Sequence, residues 1–153
     1  MDAFAAAESD PIKQGAVVIL LDERGRVALQ RRDKHVPFPN CWGLFGGWLE
    51  ANETPLGAAL REIEEELRIS LLPSQILHLG TFTARIPRPY LELLGSAILI
   101  HVFRARISAS MLLPRPAEGA GSAWRTADEV TDAQIVPYHH EILHLFADWR
   151  QRD

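Results

Sequence analysis

The chain has 153 residues, 47% of them hydrophobic and 24% charged, with a formal net charge of -4. These proportions suit one soluble globular domain with a real core, and the negative balance leaves no basic footprint for nucleic acid. No run of about 20 apolar residues is present to cross a membrane, and the single cysteine, Cys41, excludes an internal disulfide and fits a reducing cytosol.

No repeat, linker or low-complexity segment divides residues 1–153, so a single domain is expected, with residues 1–13 as a loose arm that carries no signal-peptide pattern. Gly15 to Leu21 is a short apolar run, read as a strand buried on both faces. Asp22 to Gly25 is a turn, and Arg26 to Arg32 returns as a second strand. Pro37 and Pro39 make Asp33 to Cys41 a loop, and Trp42 to Trp48 leads into the segment that carries the chemistry.

That segment runs from Gly46 to Ile69. Thr54 can cap a helix and Pro55 suits its first position. Leu56, Ala59, Leu60, Ile63 and Leu67 then recur as one apolar helical face. At about 100° per residue, Glu62, Glu65 and Glu66 share one arc, largely off that face. Like charges at these spacings cost about 0.2–0.5 kcal/mol per pair. A hard divalent cation would offset them, because Mg²⁺ takes oxygen ligands and phosphate-bearing substrates; a solvated acidic face paired with Arg61 and Arg68 is the plainer alternative.

Beyond the helix, Gln75 to Arg85 and Gly95 to Arg106 read as longer strands joined by a turn at Pro87 to Tyr90. Ala97 to Ile100 is apolar on both faces and is expected to be central, with His101 a core or edge histidine. Pro114 to Gly121 is a loop containing Glu118, Ser122 to Thr126 a short strand, Ala127 to Val130 a helical turn, and Pro137 opens a last helix whose Ile142, Leu143, Leu145, Phe146 and Trp149 can pack on a sheet. No His/Cys cluster has zinc spacing.

Gly47, Glu53, Arg61, Glu62, Ile63, Glu65, Glu66 and Ile69 resemble the signature box of the Nudix hydrolase family, a match far more specific than a lone Gly-rich motif. The one departure is Arg68, where the family has Gly. Here the helix is expected to continue through Arg68, whose charge suits a helix C-terminus. The resemblance implies an α/β fold, an α/β/α sandwich with a mixed sheet, and metal-dependent hydrolysis of a diphosphate linkage. It implies Mg²⁺, or Mn²⁺, held by Glu62, Glu65, Glu66 and the Gly46 carbonyl, with an orienting ion pair between Glu53 and Arg61. It makes Glu65 or Glu66 the base, with Glu118 the alternative and a further metal ligand, or else an exposed loop residue.

By the same resemblance an arginine ending the second strand reaches substrate, and Arg32 aligns better than Arg31. Trp48 either packs on the box helix or offers a flat surface to a base or sugar. Relatives that remove oxidised guanine carry Asn just before the C-terminal helix. This chain has Tyr138-His139-His140, so that selectivity does not carry over, and His139 stands as the substrate contact there. The resemblance points first to a MutT-like nucleoside triphosphate pyrophosphohydrolase giving monophosphate and pyrophosphate. The alternatives are hydrolysis of a nucleotide sugar or other nucleoside diphosphate derivative, and a non-catalytic nucleotide-binding module. Dimers are common in the family, although no heptad or isolated apolar stripe marks an interface here.

Overall fold

The computed structural model describes residues 12–111, 121–132 and 134–146. Its strands are β1 (Lys13–Leu21), β2 (Val27–Arg31), β3 (Trp42–Gly43), β4 (Phe45–Trp48), β5 (Ile76–Arg85), β6 (Ala97–Arg106) and β7 (Ser122–Arg125). The helices are α1 (Pro55–Leu67), the short α2 (Leu91–Leu94), α3 (Ala127–Asp132) and α4 (Pro137–Leu145). Glu118 lies outside the described residues.

β1 is the axis of a mixed sheet. It pairs parallel to β6 along its whole length, from Lys13 opposite Ile98 to Leu21 opposite Arg106, and β5 closes the far side antiparallel to β6. Gly15 to Leu21 is buried throughout, as the unbroken apolar run predicts. Alternation then sorts its side chains into two cores. Val17, Ile19 and Leu21 meet Ile142 and Leu143 of α4, with Val130 of α3, on one face. Ala16, Val18 and Leu20 meet Ala58, Ala59, Ile63 and Leu67 of α1 on the other. The result is an α/β/α sandwich. Each fully buried Leu, Ile or Val contributes about 1.5–3 kcal/mol, so a strand clad on both sides anchors both layers.

The other edge of β1 holds the feature that builds the site. β1 and β2 pair at Leu21 and Val27 beside the turn, then splay apart. The segment from Trp42 to Trp48 fills the fork. β3 takes the edge of β2, with Gly43 opposite Gln30, and β4 takes the edge of β1, from Phe45 opposite Val18 to Trp48 opposite Gly15. The outer edge of β2 pairs with β7. Sequence reading leaves this segment without strand structure, because seven residues with three glycines show no alternation. Gly46 has φ +149, and a Cβ there would lie 2.0 Å from the Ala16 carbonyl oxygen, so only glycine lets β4 approach β1 this closely.

Two expectations change. α1 starts as predicted, with Thr54 Oγ1 accepting from the Gly57 N–H at 3.0 Å and Pro55 in the first turn. It ends at Leu67, however, because Arg68 adopts the left-handed conformation (φ 59, ψ 31). The Arg68 N–H still donates to the Glu64 carbonyl, and the reversal turns Ile69 back under the sheet, where it is buried in the α1-side core. The second change is a helical turn, α2, between β5 and β6, whose Leu94 joins the α4-side core.

Candidate active site

Arg61 organises the acidic segment. Its Nε and Nη2 donate to the two oxygens of Glu53 at 2.7 and 2.9 Å, and Nη2 also donates to the Trp48 carbonyl at 3.0 Å. Nη1 reaches Glu62 at 2.8 Å and Glu65 at 3.3 Å, with Glu50 at 3.6 Å. The Arg61 guanidinium, helped by the Glu50 N–H and Glu53 hydrogen bond, holds the Glu53 carboxyl down at about 2. Arg61 in turn is held even more firmly protonated, first by Glu53 and then by Glu62. Both therefore stay charged at every ordinary pH, and the pair pins the loop to α1.

Glu66 faces elsewhere. Sequence spacing puts it with Glu62 and Glu65 on a polar arc, yet Glu66 is buried, whereas the Glu65 side chain is 49% exposed. The Glu66 carboxylate reaches into the fork. Its Oε1 accepts from the Gly46 N–H at 3.0 Å and its Oε2 from the Gln30 amide at 2.5 Å. Gln30 is a site residue that sequence reading passed over. The available signal was the two-residue repeat of the strand expected over Arg26 to Arg32, which turns residues 30 and 32 to the same side. Glu62 lies against the backbone of β4, since a Cβ on Gly47 would fall 2.4 Å from its carboxylate. The glycine pair is thus required twice, once against β1 and once against Glu62.

Among the described residues, no three His, Cys, Asp or Glu side chains converge as a ready-made metal cage. The donor set still fits a hard divalent ion. Among the described residues one guanidinium, Arg61, faces four carboxylates, so the loop keeps negative charge in excess, and Glu62 and Glu66 set carboxylate oxygens against Gly47 and Gly46. Mg²⁺ uses one or two carboxylates together with substrate phosphates and does not need an all-protein cage.

On the α4 side of the fork lies a cleft of about 110 Å³, between Ile98 and Ile100 of β6, Gly46 and Trp48 of β4, Tyr138 and His139 of α4, and Gln30 and Arg32. That volume is well below the roughly 300 Å³ or more of a whole-ligand pocket, so it suits one ring system, with the rest of a ligand lying outside. A neighbouring opening shares Gln30, Arg32 and Gly46 with the cleft and reaches Glu66, so the two sides of the fork communicate. Arg32 is fixed by the following loop, its Nε donating to the Pro37 carbonyl at 2.6 Å. Arg31 lines the neighbouring opening alone. Trp48 is 40% exposed, with the Lys13 ammonium 5.1 Å from its ring centre, and it lines the cleft beside Gly15. His139 is buried, and its Nδ1 accepts from the Leu44 N–H at 3.0 Å at the bend between β3 and β4. Burial holds its imidazole at about 3, with the nearby Arg32 charge acting in the same direction. His101, by contrast, is a half-buried strand residue bonded to Gln14 at 2.8 Å.

The structure therefore joins Glu53, Arg61, Glu62 and Gly47 in one ion-paired group beside β4 and sets Glu66 on Gly46, at an opening that neighbours the cleft lined by Arg32, Trp48 and His139. Glu65 sits at the exposed rim.

A family model described as the NUDIX domain matches residues 11–146. The chain is 32% identical over 127 residues to the m7GpppN-mRNA hydrolase NUDT17 of Danio rerio, covering 76% of this chain and 42% of the relative. It is 34% identical over 117 residues to an isopentenyl-diphosphate Delta-isomerase of Streptomyces coelicolor, covering 75% and 57%. The chain thus spans about half the length of these curated relatives. Among solved structures, the MutT protein from Methanosarcina mazei Go1 superposes with a TM-score of 0.75 at 16% identity, covering 94% of this chain and 99% of that one.

Proposed function

This chain belongs to the Nudix family, and from that premise we propose that it hydrolyses the diphosphate linkage of a nucleoside triphosphate, releasing the monophosphate and pyrophosphate. The observation that carries the reading is the continuity of two unlike surfaces through the fork. A ring-sized cleft opens at Gly46 onto an anionic loop of glutamates. A molecule with a flat apolar ring at one end and a polyphosphate at the other matches that division.

In this reading Glu62 and Glu66, with Glu65 and the Gly46 carbonyl, hold the divalent ions that Nudix hydrolases use, here Mg²⁺ or Mn²⁺. Such ions neutralise phosphate oxygens and lower the pKa of bound water. The chain's own groups do the rest. Glu53 and Arg61 keep α1 and the loop in register, so the carboxylates stay oriented. Arg32 faces the phosphate path, and Trp48 and His139 border the ring. Water attacks phosphorus, a carboxylate takes its proton, and the bond to the bridging oxygen breaks, with pyrophosphate leaving. Glu66 and Glu65 are the candidate bases in the described structure, and Glu118 remains the candidate outside it.

The test is a panel of nucleoside triphosphates, nucleotide sugars and other nucleoside diphosphate derivatives with Mg²⁺, scored by the phosphate products. Pyrophosphate and monophosphate from triphosphates are expected. Turnover of a nucleotide sugar alone would replace the substrate class. Tight binding across the panel without turnover would make the chain a binding module, a role at odds with its complete set of box carboxylates.

A further inference from the structure

The loop from Arg32 to Cys41 is gripped at its centre as well as at its ends. At the ends, the Arg32 N–H donates to the Cys41 carbonyl at 2.8 Å and the Asn40 N–H to the Arg32 carbonyl at 3.2 Å. At the centre, the peptide group between Pro37 and Phe38 is engaged on both sides. Its Pro37 carbonyl accepts from Arg32 Nε at 2.6 Å, and its Phe38 N–H donates to the Tyr90 hydroxyl oxygen at 3.0 Å. A trans peptide group is planar, with its carbonyl and N–H pointing to opposite sides. One rigid plate therefore stands between the Arg32 guanidinium and Tyr90, which lies in the β5–β6 connection just before α2. The Tyr90 ring also packs on Phe38 at 4.5 Å between centroids, and Phe38 meets Tyr138 of α4 edge-on at 5.5 Å. The plate is held in its costly orientation. Phe38 has φ 58, in the left-handed region that a bulky side chain avoids. Half a turn of the plate would carry that angle to about −120°, ordinary extended backbone, and would break both hydrogen bonds. The rings seat Phe38, and the Tyr90 hydroxyl selects which way the plate faces.

We infer that Tyr90 is a positioning residue for Arg32, its hydroxyl acting through the Pro37–Phe38 peptide to hold the guanidinium ready for the substrate's phosphates. The inference rests on the reading of Arg32 given above. With Nε engaged by the Pro37 carbonyl, the terminal nitrogens of the guanidinium are the donors left for substrate. Arg32 lines both the cleft and the neighbouring opening that reaches Glu66, so a clamped guanidinium stands where the ring and the phosphates of one ligand would join. A free Arg32 would lose side-chain freedom on binding, and that loss would weaken affinity. The clamp removes the freedom beforehand. Tyr90 acts on the substrate only through this relay.

The experiment compares the full chain with Tyr90→Phe, which keeps the ring and removes the hydroxyl. Labelling with ¹⁵N-arginine reports the Arg32 Nε–H, assigned by its loss in Arg32→Ala. In wild type this proton is expected to exchange with water about tenfold or more slowly than that of an exposed arginine, and Tyr90→Phe is expected to erase the difference. With a nucleoside triphosphate and Mg²⁺, Tyr90→Phe is expected to raise KM about fivefold and to leave kcat within about twofold. Added to Arg32→Ala, it is expected to raise KM no further, whereas a merely structural tyrosine would weaken both backgrounds alike. Slow exchange that survives in Tyr90→Phe, an unchanged KM, or equal rises in the two backgrounds would each overturn the inference. An unprotected Arg32 Nε–H in wild type would do so as well, and decides the matter even if Tyr90→Phe does not fold. Protection lost in Tyr90→Phe, in a chain that hydrolyses no triphosphate, would remove the reaction and keep the clamp. Triphosphate hydrolysis with protection unchanged in Tyr90→Phe would do the reverse.

Discussion

Changing Glu66 to Gln turns one carboxylate oxygen into a donor, and the structure states what that oxygen faces. One oxygen of Glu66 accepts from the Gly46 N–H and the other from the Gln30 amide. Gln supplies only one acceptor, so one side meets donor against donor, at a cost of about 1–3 kcal/mol. Helix repulsion relieved by losing the charge is worth only about 0.2–0.5 kcal/mol per pair, so the unfavourable contact wins. Glu66→Gln is expected to unfold at a lower urea concentration than wild type and to lose more than about 100-fold in turnover at saturating Mg²⁺. Wild-type turnover in that variant would remove Glu66 from the metal site. From sequence, Glu66 is simply one of three acids on an arc. Its separate orientation depends on Gly46 and Gln30, which come from different strands, and helical spacing carries no information about either.

At the scale of elements, helix starts were easier to read than helix stops. Thr54 and Pro55 announce the start of α1 by local chemistry, and the structure uses both. The stop at Arg68 has no local signal. It follows from the demand of Ile69 to be buried in the α1-side core, a tertiary reward that outweighs the cost of the left-handed backbone. That cost is about 1–2 kcal/mol for a non-Gly residue. Arg68→Gly removes it, offset in part by the extra freedom glycine gives the unfolded chain, about 0.5–1 kcal/mol. The variant is expected to be as stable as wild type or more so, by up to about 1 kcal/mol, with unchanged kinetics. A lower denaturation midpoint would mean that the Arg68 charge at the helix end outweighs the strain. The β3–β4 segment was hidden for a related reason: each piece is too short for periodicity, and only the splayed edges of β1 and β2 make it a strand.

Two properties belong to the whole molecule. Gly46, Glu62 and Glu66 meet only in the native fold, and Arg61 is the cation that faces the acidic loop there. A divalent ion that binds this arrangement stabilises the native state alone, so the melting temperature is expected to climb with Mg²⁺ concentration and to return with EDTA. A melting temperature flat across the titration would favour the solvated acidic face. Acid sensitivity follows from His139. Its folded value, about 3, lies below its ordinary 6.5. Between those limits the unfolded chain binds the proton and the native chain does not. Stability is therefore complete above about pH 6.5 and falls as the pH drops toward 3, by up to about 1.4 kcal/mol per pH unit. Glu53 has the same sign in a lower window, from 4.5 to about 2. Urea unfolding at stepped pH measures the slope, and His139→Gln is expected to flatten it between pH 6.5 and 4.5. An unchanged slope there would assign the acid sensitivity to the carboxylates.

The parallel register of β1 with β6 also has a consequence for how the polypeptide is made. Synthesis delivers β1 well before β6, the neighbour that pairs along its whole length. Until then Val17 to Leu21 has β2, β4 and α1 beside it but lacks the strand that pairs along its whole length and the α4 layer that covers its other face. The same strand that makes the finished sandwich secure makes the nascent chain vulnerable. Ribosome-bound fragments that stop short of β6 should therefore need a chaperone and yield quickly to protease, whereas fragments that include it should begin to resist.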